Sequence, residues 1–210
     1  MTQKHYFGRL FAFWWHRYYE KVTHRVFGQI KTSMFAKLKG TVVEIGPGAG
    51  LNLRYYPKTV RRYIGIEPSI FMMKYFQRVA SHSKINARMM RGNSENIPLK
   101  SNSTDTVIST HVLCSVNDVQ KSLQEIVRVL KPGGTFLFIE HEAAPPGSLL
   151  RKIQNFIHPI WFLLGDGCHT NRRLGDFVKR AGFSKLKMNS KRYPKFGRVV
   201  SPHVIGTATK

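Results

Sequence analysis

Hydrophobic residues follow two different periodicities from residue 40 onward. Seven short runs are rich in β-branched and aromatic residues, as in buried strands, and they lie at 41–45, 63–67, 85–90, 106–110, 135–139, 183–188 and 203–208. Between these runs, apolar residues recur every three or four positions, as on one face of a helix. Strands that alternate with helices predict an α/β fold, in which a mostly parallel sheet carries helices on both faces.

Two of the predicted helices have clear limits. One has apolar positions at 119, 123, 126, 127 and 130, with Asn117 placed to cap its start and the sequence KPGG at 131–134 placed to end it. The other extends from Leu174 to Ala181, and Gly182 is its predicted terminator.

Residues 1–39 differ from the rest of the chain because they are aromatic and basic. Apolar residues recur there at helical spacing, at positions 7, 10, 11, 14, 15 and 18. Such a helix fits three roles: a lid over a bound cofactor, a contact with an anionic membrane surface, or an amphipathic helix packed on the sheet. The sequence therefore predicts a helical extension over 1–39 and a single α/β domain over 40–210.

The chain is strongly basic. Its 34 Lys and Arg residues oppose 11 Asp and Glu residues, which gives a formal net charge of +23. Such a field attracts nucleic acid, anionic lipid or an acidic metabolite. Six cations and no acid lie between 185 and 198, where we expect another strand and then an exposed connection. Few aromatic residues lie among them, so we expect no specific binding of nucleic acid.

The sequence also bears on location and metal content. No stretch approaches the roughly 20 apolar residues that span a bilayer, and the apolar run at 10–15 is too short for a signal peptide. Cys114 and Cys168 are far apart and form no CxxC pair, which argues against a disulfide scaffold and a structural zinc site. No group of His, Asp or Glu has metal-ligand spacing, so no metal is expected. We expect a protein of the cytoplasm, and peripheral attachment to a membrane stays open.

A glycine-rich turn follows the first predicted strand, in the sequence VVEIGPGAG at 42–50. Gly46, Gly48 and Gly50 let the backbone approach a ligand closely. Leu51 departs from the dinucleotide pattern G-x-G-x-x-G, and a phosphate-binding Gly-Lys-Ser/Thr sequence is absent as well. The turn therefore suits a nucleoside without a pyrophosphate, and Glu67, after the second strand, is placed to accept both ribose hydroxyls.

Four sequence blocks resemble the class I S-adenosylmethionine-dependent methyltransferases that act on small molecules, including the ubiquinone and menaquinone methyltransferase relatives. The blocks are VVEIGPGAG, then Glu67, then GNSENIPLKSNSTDTVIST, then RVLKPGGTFLFIEH. The resemblance implies that 40–210 is a methyltransferase domain, with a Rossmann-like sheet of seven strands whose last strand is antiparallel. It also implies S-adenosylmethionine as cofactor, with Glu67 on the ribose, the loop Gly46, Pro47, Gly48 and Gly50 along the methionine part, and Asn93 and Ser94 beside the adenine. We also expect cofactor contacts from Glu44, Pro68, Glu95, Thr110 and His111. Asn93 stands where the family usually has Asp, so its contact with adenine lacks a charge.

Later blocks resemble the methyltransferase-like thiol S-methyltransferases of the endoplasmic reticulum and lipid droplets, and their bacterial relatives. These blocks are LCSV at 113–116, FIEH at 138–141, LLGDGCHTNR at 163–172, FSKLK at 183–187 and PHVIGTATK at 202–210. The chain departs from that family because its N-terminus lacks a membrane-spanning apolar segment. The resemblance implies a small, lipophilic acceptor, with a thiol favoured. Two alternatives stay open: a phospholipid amine or a quinone methylated at a membrane surface, and an RNA-binding or RNA-modifying protein.

Methyl transfer from a sulfonium is an in-line displacement, in which the protein aligns the nucleophile, excludes water and removes a proton where one is present. A thiol needs little help, because its pKa of about 8.5 leaves some thiolate at neutral pH. Candidate bases and positioning groups follow the fourth and fifth strands or lie in the segment GDGCH: His111, Glu140, His141, Asp166 and His169. We interpret Cys114 and Cys168 as structural.

Overall fold

The computed structural model describes residues 13 and 18–210. Most aromatic positions of the predicted N-terminal helix, Trp14 and Trp15 among them, lie outside the described residues. The described helices are α1 (Glu20–Phe35), α2 (Ile70–Ser81), α3 (Val119–Val129), α4 (Leu149–Leu164) and α5 (Leu174–Lys179). The strands are β1 (Gly40–Ile45), β2 (Val60–Glu67), β3 (Ala87–Arg91), β4 (Thr104–Thr110), β5 (Leu130–His141), β6 (Lys185–Arg192) and β7 (Pro202–Thr209). Short 3₁₀ helices lie at Leu51–Tyr55 and Pro194–Phe196.

The strands form one sheet in the order β3-β2-β1-β4-β5-β7-β6. The first five strands in that order are parallel to one another. β7 pairs antiparallel with both β5 and β6, which confirms the predicted mostly parallel, seven-stranded sheet with an antiparallel last strand. The direction of winding reverses between β1 and β4, and sheets of this kind bind ligands outside the carboxyl ends of the strands at that point.

Alternate residues of the central strands pack on opposite faces of the sheet. On one face, Val43 and Phe136 pack with Leu123 of α3. On the other face, Val42 and Leu137 belong to a second core that includes residues of α1 and α2. Both faces are therefore covered, which is why these strands are nearly continuous apolar runs, and the predicted helices on both sides are confirmed.

The limits of the two predicted helices need small corrections. The N-cap of α3 is Asp118, whose side chain accepts a hydrogen bond from the Lys121 amide at 3.0 Å, and not the predicted Asn117. Leu130 has an extended backbone and begins β5, so the helix ends one residue earlier than its apolar pattern suggests. α5 ends at Lys179, and Gly182 follows with a left-handed φ of 83°, in keeping with its predicted role as terminator.

The basic segment at 185–198 contains a strand and then a connection, as expected, but the cations are divided differently between them. Four of its cations (Lys185, Lys187, Lys191 and Arg192) belong to β6, which is an edge strand of the sheet. The strand is longer than predicted, and only Lys195 and Arg198 lie in the connection to β7. Charged side chains on an edge strand oppose pairing with another chain. Within residues 13 and 18–210, no helix is long and apolar enough to cross a membrane.

Candidate active site at the carboxyl edge of the sheet

The glycine turn follows β1 at the carboxyl edge of the sheet. Gly46, Gly48 and Gly50 have φ values of 54°, 56° and 78°, a region that side chains disfavour. A Cβ atom on Gly46 would lie 2.6 Å from Val112 Cγ2, and one on Gly50 would lie 2.6 Å from Phe76 Cδ2. These two glycines are therefore required both by conformation and by close packing on neighbouring elements.

Glu67, the last residue of β2, is tied to this turn. Its Oε2 accepts a hydrogen bond from the Gly48 amide at 3.0 Å, and its Oε1 accepts one from the Ser69 amide at 2.9 Å. The side chain is 5% exposed. The two backbone donors fix the orientation of the carboxylate, and Glu67 lines the cavity described below. Ribose binding by Glu67 stays a prediction that this geometry fits.

A cavity of about 300 Å³ lies beside the glycine turn. Seven predicted site residues line it: Gly46, Gly48, Glu67, Pro68, His111, His141 and Asp166. The structure thus brings together the glycine turn, the end of β2, the ends of β4 and β5 and the loop after α4. The cavity is therefore lined by residues predicted to bind the cofactor and by His111 and His141, two of the predicted catalytic residues.

Glu44 and Thr110 are predicted cofactor residues that do not line this cavity. Glu44 is buried and accepts hydrogen bonds from Asn52 Nδ2 at 2.5 Å, from Tyr56 Oη at 2.9 Å and from Tyr63 Oη at 2.7 Å. Burial raises the pKa of Glu44, and the hydrogen bonds, which lower it, offset only part of that effect.

The same network holds a buried cation beneath the turn. Lys31 of α1 donates to Asn52 Oδ1 at 2.8 Å, and Asn52 also donates to Thr110 Oγ1 at 2.9 Å. Burial lowers the pKa of Lys31 to about 8. Since Asn52 donates to both Glu44 and Thr110, the network connects α1, the first 3₁₀ helix and two central strands, and it supports the glycine turn from below.

Three predicted residues at 93–95 also lie outside the cavity lining. Asn93 Oδ1 is buried and has no hydrogen-bond partner among the described residues, so it is an available acceptor, as an adenine amino group requires. Ser94 Oγ pairs with Ser122 Oγ at 2.8 Å. Glu95 Oε1 accepts from the Asn117 amide at 2.9 Å, which holds the loop before α3.

Pro47 and Gly50 are the remaining cofactor predictions outside the lining. They belong to the same turn as Gly46 and Gly48. Pro47 lies against β2, since a Cβ atom on Gly65 would be 2.8 Å from Pro47 Cγ. Their contribution is to the shape of the turn.

Glu140 is fully buried and does not line the cavity. Its Oε1 accepts from Ser109 Oγ at 2.5 Å, and its two oxygens accept from the Val112 amide at 3.1 and 3.0 Å. Burial raises the pKa of this carboxyl group. The geometry makes Glu140 an anchor between β5 and the loop after β4, with its oxygens engaged by protein donors and not by the cavity.

His111 lines the cavity and is paired with a histidine that sequence reasoning missed. His203 Nδ1 lies 3.0 Å from the Ser201 carbonyl oxygen, which can only accept, so Nδ1 carries a proton. Burial lowers the pKa of His203 to about 4, so its Nε2, 3.1 Å from His111 Nε2, is an acceptor at neutral pH. His111 therefore donates from Nε2 and keeps Nδ1 as an acceptor.

The backbone of His111 is also unusual, with a positive φ of 58°. Its ring stacks on Phe196, with centroids 4.7 Å apart. Burial and the neighbouring His203 hold the pKa of His111 well below its usual value. Such strained and desolvated residues concentrate at functional sites, and a neutral imidazole with a free acceptor suits an orienting role better than storage of a proton.

Asp166 and His169, the two candidates from the GDGCH segment, take different positions. Asp166 lines the cavity with a positive φ of 51°. His169 does not line it. Its ring packs on His158 and Phe162, each at 4.9 Å between centroids, while its backbone amide donates to the Cys114 carbonyl at 2.9 Å. Burial lowers the pKa of His169 to about 4.

A cluster of Cys114, His141 and Cys168 lines the cavity and was missed by sequence reasoning, which assigned both cysteines to structure. Cys168 Sγ lies 3.0 Å from His141 Nε2 and 3.8 Å from Cys114 Sγ. Burial lowers the pKa of His141, but Cys114 and Glu140 together raise it above the usual value. No pattern of residue spacing along the sequence predicts this cluster, because its members come from three separate segments.

Aromatic residues form part of the cavity wall. Tyr19, Trp161 and Phe196 line it, and none was predicted as a site residue. Phe27 of α1 is fully buried against His111 and His203, with centroids 5.3 and 4.8 Å apart. The described part of the predicted extension therefore packs into the domain, and Tyr19 reaches the site. The division of the chain at residue 39 stays a prediction.

The fold and this cavity define an enzyme that uses S-adenosylmethionine. A family model described as a methyltransferase domain matches residues 43–138. A solved structure from Thermotoga maritima, described as an S-adenosylmethionine-dependent methyltransferase and possible histamine N-methyltransferase, superposes with a TM-score of 0.69 at 22% identity, over 96% of this chain and 98% of that one. Phosphoethanolamine N-methyltransferase 2 of Haemonchus contortus, solved with S-adenosylmethionine, gives 0.69 at 15% identity, over 95% and 60% of the two chains.

Closer similarity is found in sequence. Thiol S-methyltransferase TMT1B of Rattus norvegicus is 33% identical over 99% of this chain and 87% of its own length. Thiol S-methyltransferase TMT1A of Homo sapiens is 35% identical over 82% of this chain and 71% of its own length. The chain belongs to the methyltransferase family that contains these thiol S-methyltransferases.

Proposed function

We propose that this methyltransferase transfers the methyl group of S-adenosylmethionine to the sulfur of a small, lipophilic thiol. The observation that carries the proposal is the composition of the cavity, whose lining includes Gly48 and Glu67 together with the apolar side chains of Trp161, Phe196 and Val200. An apolar wall beside the cofactor suits an apolar acceptor. The relatives named for thiol methylation support the choice of sulfur as the nucleophile.

The transfer makes few demands on the protein. A thiolate attacks the methyl carbon, a carbon–sulfur bond forms, and the bond to the sulfonium breaks with its electron pair remaining on S-adenosylhomocysteine. S-Adenosylmethionine supplies the electrophile and the leaving group. Nδ1 of His111 accepts a hydrogen bond from the entering thiol and orients it, the thiol then loses its proton to solvent to give the attacking thiolate, and the aromatic residues of the cavity exclude water during the transfer.

A transfer assay with labelled cofactor tests this function. The panel holds alkyl thiols of increasing chain length, matched alcohols, a phospholipid amine and a quinol. We expect turnover with thiols, greater for the longer chains, and none with the alcohols. Transfer to the phospholipid amine or the quinol in preference to every thiol contradicts the proposal, as does failure to methylate any thiol.

We also propose that the protein contacts an anionic membrane surface from the cytoplasm. One face of α4 exposes apolar side chains at a spacing of three or four residues, and Phe156 is 85% exposed. The stripe consists of Leu149, Ile153, Phe156, Ile160, Leu163 and Leu164. Lys21 and Arg25 of α1, with Lys195, line a second cavity of about 400 Å³. An exposed apolar stripe is typical of a helix that lies in a membrane interface, and exposed cations elsewhere on the protein favour an anionic surface.

Flotation with vesicles tests the membrane contact. We expect the full chain to float with anionic vesicles more than with neutral ones, and the double variant Phe156→Glu, Ile160→Glu to lose most of that binding. Ile70→Glu changes an exposed apolar residue outside α4 and serves as the control. Equal flotation of the double variant and the unmodified protein removes α4 from the contact.

A further inference from the structure

We propose that Cys114, His141 and Cys168 form a Zn²⁺ site whose fourth position takes the sulfur of the thiol substrate. The three side chains are buried, and their ligand atoms lie within 4.8 Å of one another. All three line the cavity that also contains Gly46, Gly48 and Glu67. Metal binding is independent of the function proposed above, whereas the role of the fourth position rests on that function.

The distances fit a tetrahedral ion. With Zn–S bonds of about 2.3 Å and a Zn–N bond of about 2.0 Å, tetrahedral angles place two sulfur ligands about 3.8 Å apart and a sulfur and a nitrogen about 3.5 Å apart. The two Sγ atoms lie 3.8 Å apart, so the sulfur pair already has the ligand spacing. His141 Nε2 lies 3.0 Å from Cys168 Sγ, about half an ångström less than the tetrahedral spacing, and all three ligand atoms lie within 4.8 Å of one another.

The three ligands come from three anchored elements, and for Cys168, after α4, the backbone amide donates to the Gly165 carbonyl oxygen at 3.1 Å. Cys114 lies in the loop after β4, and its carbonyl oxygen accepts hydrogen bonds from the His169 amide at 2.9 Å and from Arg172 Nη1 at 3.4 Å. His141 ends β5 and is paired in register with His203 of β7. Such contacts hold the ligands in place without an ion, as binding and catalytic sites require.

Other groups near the sulfurs favour thiolates. Trp161 Nε1 donates to Cys168 Sγ at 3.4 Å, a contact of the kind that tunes thiolate ligands from outside the coordination sphere. Two thiolates and one Zn²⁺ have no net charge, which lowers the cost of burying them. Two sulfurs and one imidazole are the donor set that zinc accepts while keeping a position open, as in zinc alcohol dehydrogenases.

An open position on zinc changes the chemistry of a thiol. The substrate sulfur coordinates the ion and its proton leaves to solvent, because a coordinating thiol is deprotonated. The bound sulfur then forms a bond to the methyl carbon of S-adenosylmethionine. The bond between that carbon and the sulfonium sulfur breaks, and its electron pair stays on the sulfur of S-adenosylhomocysteine. The neutral thioether product binds zinc more weakly than the thiolate does and dissociates. No oxidant or reductant takes part.

Metal binding is tested on the full chain, purified under reductant, stripped with a chelator and titrated with Zn²⁺. We expect one ion per chain by elemental analysis. Co²⁺ in place of Zn²⁺ should give the ligand-field absorption of a tetrahedral ion and a thiolate-to-metal charge-transfer band. Cys114→Ser, Cys168→Ala and His141→Gln should each weaken Zn²⁺ binding by about 100-fold or more, beyond the 10- to 100-fold loss typical of outer-shell changes. His82→Gln, an exposed histidine at the end of α2, is the control.

Circular dichroism establishes that each variant is folded. If one of the two cysteine variants does not fold, the other still tests the site. The fourth position is tested by adding an alkyl thiol to the Co²⁺ form. We expect the charge-transfer band to intensify with the thiol and to stay unchanged with the matched alcohol. Both measurements are made without S-adenosylmethionine, so they do not depend on turnover.

The outcomes separate the two proposals. If the stripped, reduced protein binds no Zn²⁺ and still methylates thiols, the zinc site is wrong and the proposed function stands. Co²⁺ binding with no spectral response to thiols overturns the role of the fourth position. If Zn²⁺ and thiols bind but no thiol is methylated, the proposed function is wrong. A disulfide between Cys114 and Cys168 that persists under reductant also overturns the site.

Discussion

Replacing Glu67 with Gln tests the predicted cofactor site at the residue that ties β2 to the glycine turn. The substitution keeps the size of the side chain but leaves one acceptor oxygen where the carboxylate has two, each now bound to a backbone amide, of Gly48 and of Ser69. The NH₂ group of Gln therefore faces one of those amide donors, and the ribose loses a charged acceptor. A hydrogen bond to a charged group is worth about 1.5–3 kcal/mol. At about 1.4 kcal/mol per tenfold change, we expect S-adenosylmethionine to bind about 10- to 100-fold more weakly.

Glu142→Gln is a matched control for this change. Glu142 is also 5% exposed and accepts hydrogen bonds from the Gly175 amide at 3.1 Å and from Ser190 Oγ at 2.8 Å, but it does not line the cavity. Thermal melting should show a similar loss of stability in both variants. Isothermal titration should show weaker cofactor binding only in Glu67→Gln. Equal affinity in the two variants would refute the assignment of Glu67.

Two further predictions concern the support of the glycine turn. Gly50→Ala places a Cβ atom 2.6 Å from Phe76 Cδ2 at a φ of 78°. We expect it to lower the free energy of unfolding, measured by urea denaturation, by about 1–3 kcal/mol. Gly147→Ala is the control, because Gly147 has a φ of 81° but open space around it, so its cost reflects the φ value without the contact. Lys31 has a pKa of about 8 when folded, against 10.5 for the free side chain, so the unfolded chain binds more protons between these pH values and stability rises with pH there. We expect the unmodified protein to gain up to about 3 kcal/mol relative to Lys31→Met between pH 8 and pH 10.5, and parallel stability curves would contradict the burial of a charged Lys31.

The sequence predicted the parts of the site that are continuous along the chain. Gly46, Gly48 and Gly50 follow one strand, and Glu67 ends the next, so a pattern of glycines and one spaced acid was enough to place them together. Parallel neighbouring strands end at the same edge, which is why His111 and His141 both line the cavity, while their chemical roles stay predictions.

The predicted roles of Glu44 and Glu140 depended on information that a sequence does not contain. Both lie at strand ends, and a carboxylate there can face either a cavity or an internal network. Glu44 faces Tyr56 and Tyr63, and Glu140 faces the Val112 amide. The facing direction is set by tertiary packing, which spacing along the chain does not reveal.

Residues distant in sequence were missed for a different reason. The ligand cluster joins positions 114, 141 and 168, and His203 reaches His111 across 92 positions. Only the fold brings these residues together, since each lies in a different element. The aromatic wall was missed too, because Trp161 belongs to a helix whose apolar residues are equally typical of core packing.

The position of β7 in the sheet has a consequence for the order in which the enzyme is built. β7 lies between β5 and β6, so it can take its place only after both partners have been synthesised, and it brings His203 to His111. The glycine turn and Glu67 come from strands that leave the ribosome much earlier and pair with each other directly. During synthesis, the half that contains the glycine turn and Glu67 can therefore fold first, while the half that contains His111 and His203 stays unfinished until β7 inserts.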